Sequence, residues 1–353
     1  MKKFVPTILA VIALALAGAI VFKLFQIKSL KQTPASAQEQ DQQIFDAQRA
    51  YEQKLADQNA AIDGVAADAN HDQRPFAVVV ENQIDSRPQS GLSQADIVYE
   101  ALAEGGITRF LAVFQSQDVK SIGPVRSART YFNDWAQELA AIYVHVGGNS
   151  DALYYLSKGI PGVSNADQFY NGDYFTRISS RPAPHNVYTS TDLLRKLAVR
   201  QGFSMQKSYD DYLFKGDQPA GDATAAKSIS IDFSEPAYAV QWKYDPTTNT
   251  YQRYQAGSAA VDAGNGKDIY AKNVIVQRVA NWPVASDTPY SISMGTRTGG
   301  NAQIFFDGNE TDGTWKIVNG RTQFFDQSGN EIKFDRGEFW IEIVPPGNAV
   351  TVK

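Results

Sequence analysis

The sequence predicts an α+β fold behind an N-terminal transmembrane helix and stalk, with a mixed α/β first domain and a mostly antiparallel β second domain. Three observations lead there. Residues 4–22 form one apolar run; strand-like and helix-like segments alternate between residues 74 and 214; and beyond residue 227 short aromatic, β-branched runs alternate with turn residues. Strands mixed with helices point to the first class, and closely spaced short strands to the second.

The apolar run, "FVPTILAVIALALAGAIVF", is interrupted only by Pro6, Thr7 and Gly18. As a helix rising 1.5 Å per residue it comes close to the ~30 Å hydrocarbon core of a bilayer. A cleaved signal peptide is the competing reading, but the nearest small-residue site, "ASA" at 35–37, lies far downstream. An uncleaved anchor within residues 1–31 is therefore expected. Lys2 and Lys3 on one side face Lys23, Lys28 and Lys31 on the other, so the positive-inside rule leaves orientation open. Residues 32–73 read as a polar linker followed by a stalk helix, whose apolar positions Ile44, Ala47, Tyr51, Leu55 and Ile62 have helical spacing.

The first domain, 74–214, opens with "RPFAVVVEN", a buried strand by its β-branched run. "DIVYEAL" and "TRFLAVF" are two further strands, parted by Glu104-Gly105-Gly106. A helix is expected over about 127–141, with Ala128, Tyr131, Phe132, Trp135 and Leu139 on one face. "IYVHV" follows as a strand and turns at Gly147-Gly148 into a helix capped by Ser150 or Asp151. "STDLLRKLAVRQ" is a further helix, capped by Ser190 or Thr191. Residues 215–227 form a hinge by composition. In 228–353, "SISIDF", "AVQWKYD", "TYQRYQAG", "NVIVQRVA", "AQIFFDG", "TWKIVNG", "TQFFDQSGN" and "FWIEIV" are strands, with "DGNETDG" a hairpin turn.

Composition narrows the function. The net charge is −5, but the first 31 residues hold five lysines and no acids, leaving 28 basic against 38 acidic residues and a net −10 beyond them. That balance argues against nucleic-acid binding, which rests on an excess of Lys and Arg. There are no cysteines, so disulfides, thiolate metal sites and a Cys nucleophile are excluded. No HExxH, GxSxG, Walker or EF-hand pattern occurs, and no metal or cofactor is implied.

The sharpest local signal is "IGPVRSARTYF", which places Arg126 and Arg129 in the first turn of the expected helix. A helix start carries partial positive charge and favours anions, so two arginines there imply a negative partner. That partner is either a ligand or an internal carboxylate, with Glu81, Glu100 and Glu104 near strand ends as candidates. Arg109, Arg87, Arg181 and Asn186 are further ligand-binding candidates, from a strand start and from the loops "ENQIDSRPQSG" and "RISSRPAPHNVY". His185, in the second loop, is the better acid–base candidate, with Glu81, Glu100 and Glu104 as alternatives. His145, on an apolar strand, reads as a core residue beside a possible Gly147-Gly148 anion nest, and His71 lies in the linker. Glu100 and Glu104 also form a candidate carboxylate pair of the glycosidase type.

"RPFAVVVEN", "SRPQSGLSQADIVYEALAEGGITRFLAVF", "IGPVRSARTYF", "HVGGNSDA" and "RPAPHNVY", in this order, resemble the YerB-like lipoproteins, a bacterial family defined as domain of unknown function 3048. The second half, with "YAVQWKYD", "NVIVQ" and "FWIEIVP", resembles that family's C-terminal domain. The resemblance implies a membrane-attached protein with both domains outside the membrane, which fixes the orientation. It carries over no catalytic residues, and the lipidated cysteine of a lipoprotein is missing. The expectation is a single-pass envelope protein binding an anionic cell-wall component through an Arg-rich cleft. A glycan or phosphodiester hydrolase, or a scaffold for an envelope protein partner, are the alternatives.

Overall fold

The computed structural model describes residues 61–65, 73–219, 226–288 and 290–353. The expected anchor, the linker and the stalk through residue 60 lie outside the described residues. Ile62, the last apolar stalk position, is in a turn and fully buried, its amide donating to Gln115 Oε1 at 2.7 Å. No helix among the described residues is long and apolar enough to cross a membrane.

The runs quoted above become strands, and two strands not expected, Ser164–Asp167 and Val350–Val352, join them: β1 (Phe76–Glu81), β2 (Ile97–Leu102), β3 (Thr108–Phe114), β4 (Ile142–His145) and β5 (Ser164–Asp167) in the first half. In the second half they are β6 (Ser228–Asp232), β7 (Ala239–Asp245), β8 (Thr250–Gln255), β9 (Asn273–Arg278), β10 (Gly300–Phe306), β11 (Asn309–Val318), β12 (Arg321–Asp326), β13 (Phe339–Val344) and β14 (Val350–Val352). Ten of them form one mixed sheet in the order β12-β11-β10-β9-β13-β2-β3-β1-β4-β5. The halves meet where β2 pairs in parallel with β13, from Ile97 opposite Phe339 to Ala101 opposite Ile343. Antiparallel pairing holds from β9 to β12, whereas β13 is parallel to both neighbours. The remaining strands, β8-β7-β6-β14, with short edge pieces on β8, make a second, antiparallel sheet.

Period-two alternation builds two cores, one on each face of the large sheet. Val78, Val80, Val98, Ala112 and Trp340 pack toward the second sheet and Ile229, Val240 and Trp242 upon it. Ala77, Val79, Tyr99, Leu111 and Ile341 pack under the helices α1 (Thr130–Glu138) and α2 (Ser150–Lys158). Burial on both faces explains why these strands read as unbroken apolar runs. The third helix, α3 (Thr191–Gln201), is capped by Ser190 Oγ, which accepts from Leu193 N, and covers the first core with Leu194, Leu197 and Ala198.

Two helix starts differ from expectation. α1 begins at Thr130 rather than 127, because Val125 bridges Val80 and the Arg126 amide donates to Val79 O at 2.8 Å, holding 124–126 extended beside β1, and the Ala128 amide donates to Gly147 O at 2.9 Å. Arg129 is thus the residue before the helix, and Arg126 is outside it altogether. α2 is capped by Asn149, whose side chain accepts from Ala152 N, not by Ser150 or Asp151. Asn is as good a cap as either, and the three are consecutive.

Between the two sheets the interior is charged. Arg253 of β8, 1% exposed, donates to Glu100 Oε2 of β2 at 2.6 Å, and its guanidinium lies 4.9 Å from the Trp340 ring centre. Glu342 of β13 accepts from Trp242 Nε1 at 2.7 Å, and burial together with nearby Glu100 pushes its carboxyl well up, favouring the protonated form. A buried pair broken from one side strands a charge without water. Arg253→Met is therefore expected to destabilise by about 3–5 kcal/mol in urea unfolding, and adding Glu100→Gln to recover much of the loss. A single variant as stable as the parent would deny this pair its role.

Glu138, at the end of α1, accepts from the Thr322 amide of β12 at 2.9 Å. Burial, only partly opposed by that bond and the Arg321 charge, raises its carboxyl from 4.5 to about 7. The folded state thus holds this proton more tightly than the unfolded chain, so the stabilisation is complete below about pH 4 and is lost as pH rises through 7. Glu138→Gln should raise the melting temperature at pH 8 and change it little at pH 4.5; equal shifts at both would contradict the assignment.

Candidate functional site

Glu81 ends β1, and two segments are laid beside it in turn. The extended stretch 122–126 follows β1, with the Glu81 amide donating to Pro124 O at 2.9 Å. The Val125 amide then donates to Val187 O at 2.7 Å, which brings the 181–188 loop alongside. Gly123 permits this approach: its φ is +151°, and a Cβ there would sit 2.7 Å from Val187 O. Three segments distant in sequence thus converge on one carboxylate.

That carboxylate is divided. Glu81 Oε1 accepts from Arg126 Nε and Oε2 pairs with His185 Nδ1, each at 2.8 Å. The Glu81 side chain is 4% exposed, whereas Arg126 and His185 keep 26% and 15% exposure. Neither Arg126 Nη1 and Nη2 nor His185 Nε2 has a hydrogen-bond partner among the described residues. The buried glutamate therefore orients two side chains whose outer nitrogens face away from it.

A second carboxylate stands at the β2–β3 turn. Glu104 pairs with Arg129 through Nε and with Arg109 at 3.6 Å. Burial alone would raise Glu104, but the Arg129 hydrogen bond and both arginine charges hold it below the usual carboxylate range. Arg109, opposite Glu81 in the β1–β3 ladder, is pushed down to about 10 by burial and by the Arg129 charge, and its Nε is buried without a partner. Three guanidinium groups thus gather around two carboxylates. The inference from a helix start does not hold for Arg126 and Arg129, since neither lies in the first turn; the internal-carboxylate alternative accounts for one nitrogen of each.

The other candidates are dispersed. Arg87 donates to Asn82 O at 2.9 Å and Ala237 O at 2.7 Å and lies over the Tyr238 ring, clipping its loop to the second half. Arg181 is spent on the carbonyls of Ser86 and Pro88. Asn186 accepts from Arg177 Nη1 at 2.8 Å within its own loop. Glu100 is fully buried against Arg253, Thr108 and Asn82, which leaves it no access to a substrate as one half of a glycosidase-type pair with Glu104. His145 is a core residue, bonded to Gly147 O and Asn165 Oδ1 at 2.7 Å each, and burial lowers its affinity for a proton. The nest beside it is filled, because the Gly147 amide already donates to Asp167 Oδ1 at 2.9 Å. His71 lies outside the described residues. No group of three or more His, Asp or Glu among the described residues could hold a metal ion.

Known proteins share this arrangement of segments. Residues 63–204 match the N-terminal domain, and residues 229–341 the C-terminal domain, of the protein of unknown function DUF3048. The chain is 36% identical over 283 residues to the Bacillus subtilis (strain 168) protein described as "Putative lipoprotein YerB", spanning 80% of this chain and 84% of that protein. The chain belongs to the DUF3048 family. The crystal structure of YerB from Bacillus subtilis matches at a TM-score of 0.72 and 34% identity, over 79% of this chain and 94% of that one. In this DUF3048 protein the two family domains share the sheet that positions Glu81.

The sequence offers Glu81 as one of three carboxylates for Arg126 but leaves His185 apart from it; that one carboxylate holds both side chains is visible only in the structure. If it does, Glu81→Gln should cost about 2 kcal/mol in urea unfolding, whereas Arg126→Gln, which removes a partly exposed partner, should cost less than about 1 kcal/mol. Equal costs would remove Glu81 from the centre of the cluster.

Proposed function

We propose that this protein is a membrane-attached envelope protein, folded outside the cytoplasm, that binds an anionic envelope polymer at the Arg126–His185 edge. The relative from Bacillus subtilis bears the description "Putative lipoprotein YerB". These 353 residues contain no cysteine to carry a lipid, so the apolar run at 4–22 serves as the anchor. One observation carries the ligand class: Glu81 spends its two oxygens on Arg126 Nε and His185 Nδ1, leaving the outer nitrogens of both side chains unpaired among the described residues. A guanidinium edge beside the Nε2–H of a doubly protonated imidazole suits a phosphate or carboxylate oxygen. With a net −10 beyond residue 31, that attraction is local rather than general.

A second reading has its own observation. A carboxylate 2.8 Å from Nδ1 fixes the imidazole ring and its tautomer. His185 Nε2 is then placed to take a proton from water or a hydroxyl, with Arg126 stabilising charge on a glycan or phosphodiester substrate.

Cosedimentation of the full detergent-solubilised chain with isolated bacterial cell wall tests both. Binding should fall about tenfold in Arg126→Gln and in His185→Gln, each losing one charge-assisted contact. Walls stripped of phosphate, or with carboxylates amidated, identify the anion. Soluble fragments released by the parent but not by His185→Ala would favour the catalytic reading. Unchanged sedimentation in both Gln variants would refute recognition at this edge.

A further inference from the structure

We propose that a second site, the cleft between α1, α2 and the ribbon of residues 281–283 and 292–294, binds an N-acetylated saccharide. The ribbon is formed by Asn281–Pro283 paired with Ile292–Met294 and lies across the two helices. It is pinned at both: the Ser150 amide donates to Asp287 Oδ2 at 2.7 Å, and Thr296 Oγ1 donates to Asp134 Oδ2 at 2.6 Å. A cavity of about 650 Å³ remains between them.

Its lining divides into two kinds. Val284, Ile292 and Met294 of the ribbon give an apolar wall. α1 and α2 contribute polar groups not consumed by the fold. Asn133 donates through Nδ2 to Ala152 O at 3.1 Å while its buried Oδ1 has no partner. Asp151 makes no side-chain bond among the described residues, Lys158 lies 5.3 Å from the Tyr154 ring centre, and the exposed Tyr155 presents ring and hydroxyl.

Charge and shape select the ligand. Asp134 in the lining is already taken by Thr296 and, at 3.3 Å, by Arg297, so Asp151 and Lys158 are left to cancel, which disfavours a free anion or a free amine. An exposed aromatic ring, an apolar wall and separate donors and acceptors fit a pyranose, with an apolar face to stack and hydroxyls to bond. The unpaired Asn133 acceptor calls for an N–H or O–H donor, and the apolar residues that line the same cleft suit a methyl group. An acetamido substituent has both. Arg126 and His185 do not line this cleft, so the proposal stands apart from the anion reading.

The test is calorimetric titration of the full chain, in a detergent without a sugar head group, with chitotetraose and with cellotetraose. Chitotetraose should bind in the parent and in Arg126→Gln alike. It should weaken about tenfold in Tyr155→Ala, an exposed position whose loss spares the core, and further in Asn133→Leu. Cellotetraose, lacking the acetamido groups, should bind at least about tenfold more weakly than chitotetraose. No chitotetraose heat, an unaffected Tyr155→Ala, or equal affinity for cellotetraose would each overturn the proposal.

Discussion

The fold depends on a guanidinium that has lost its water. Arg253 enters the space between the two sheets from β8, pairs with Glu100 of β2, and lies near the rings of Trp340 and Phe110. Removing such a charge from water is costly, and the interior recovers that cost only where a partner and a polarisable surface are fixed in advance. Both are fixed by β2 lying against β13, since one strand supplies Glu100 and the other Trp340 and Glu342. The charge is contributed by the C-terminal domain and its counter-charge by the N-terminal domain. Neither domain can drop the other without stranding a buried ion, which makes one structure of two family segments.

The candidate site inherits its geometry from the same sheet. β1 lies two strands from β2, and its last residue is Glu81. Asn82, next in sequence, donates to Glu100 Oε1 at 3.2 Å and receives the Arg87 guanidinium through its own carbonyl. The strand end bearing the divided carboxylate is thus tied to the buried ion pair. Residues 124–126 add to β1 by backbone hydrogen bonds and 187–189 add in turn to 122–125, so they carry Arg126 and His185 to the end of that strand. Ligand groups placed on strands and their extensions are held more firmly than those on free loops.

How much of this was legible follows from which forces are local. β1 to β3 were readable because burial on both faces leaves an unbroken apolar run. α3 was readable because its cap and its final Gly202 are adjacent to the periodic stretch. The start of α1 was not, because the chain at 125–128 is held straight by Val80 and Val187, partners that local sequence does not name. Sharing of one sheet between the halves escaped for the same reason: the change of texture at 215–227 marks a connection, not a separation of cores. The buried arginine did leave a trace. In "TYQRYQ", Arg253 stands two residues from the buried Tyr251 and so on the same face, a charge on the apolar side of a strand. At the site, each of Glu81, Arg126 and His185 was a visible candidate, but their meeting at one carboxylate is a fact of topology.

Whether an arginine is structural is decided by how many of its nitrogens are spent, not by whether a carboxylate is near. Arg74 spends all three on Ala140 O, Ala141 O, Gly162 O, Ser164 Oγ and Ser204 O, between 2.6 and 3.0 Å, and closes the chain around β4 and β5 with nothing left to offer. Arg87 likewise spends all three, on Asn82 and on Ala237 O, and Arg181 spends Nη1 and Nη2 on the carbonyls of Ser86 and Pro88. Arg126 gives one nitrogen to Glu81 and remains partly exposed. A guanidinium binds two-pronged partners best through paired N–H groups on one edge. Pairing through Nε alone fixes the plane of the group while keeping the far edge formed by Nη1 and Nη2. The ion pair that accounts for the charge of Arg126 within the fold is therefore also what orients it for a partner outside.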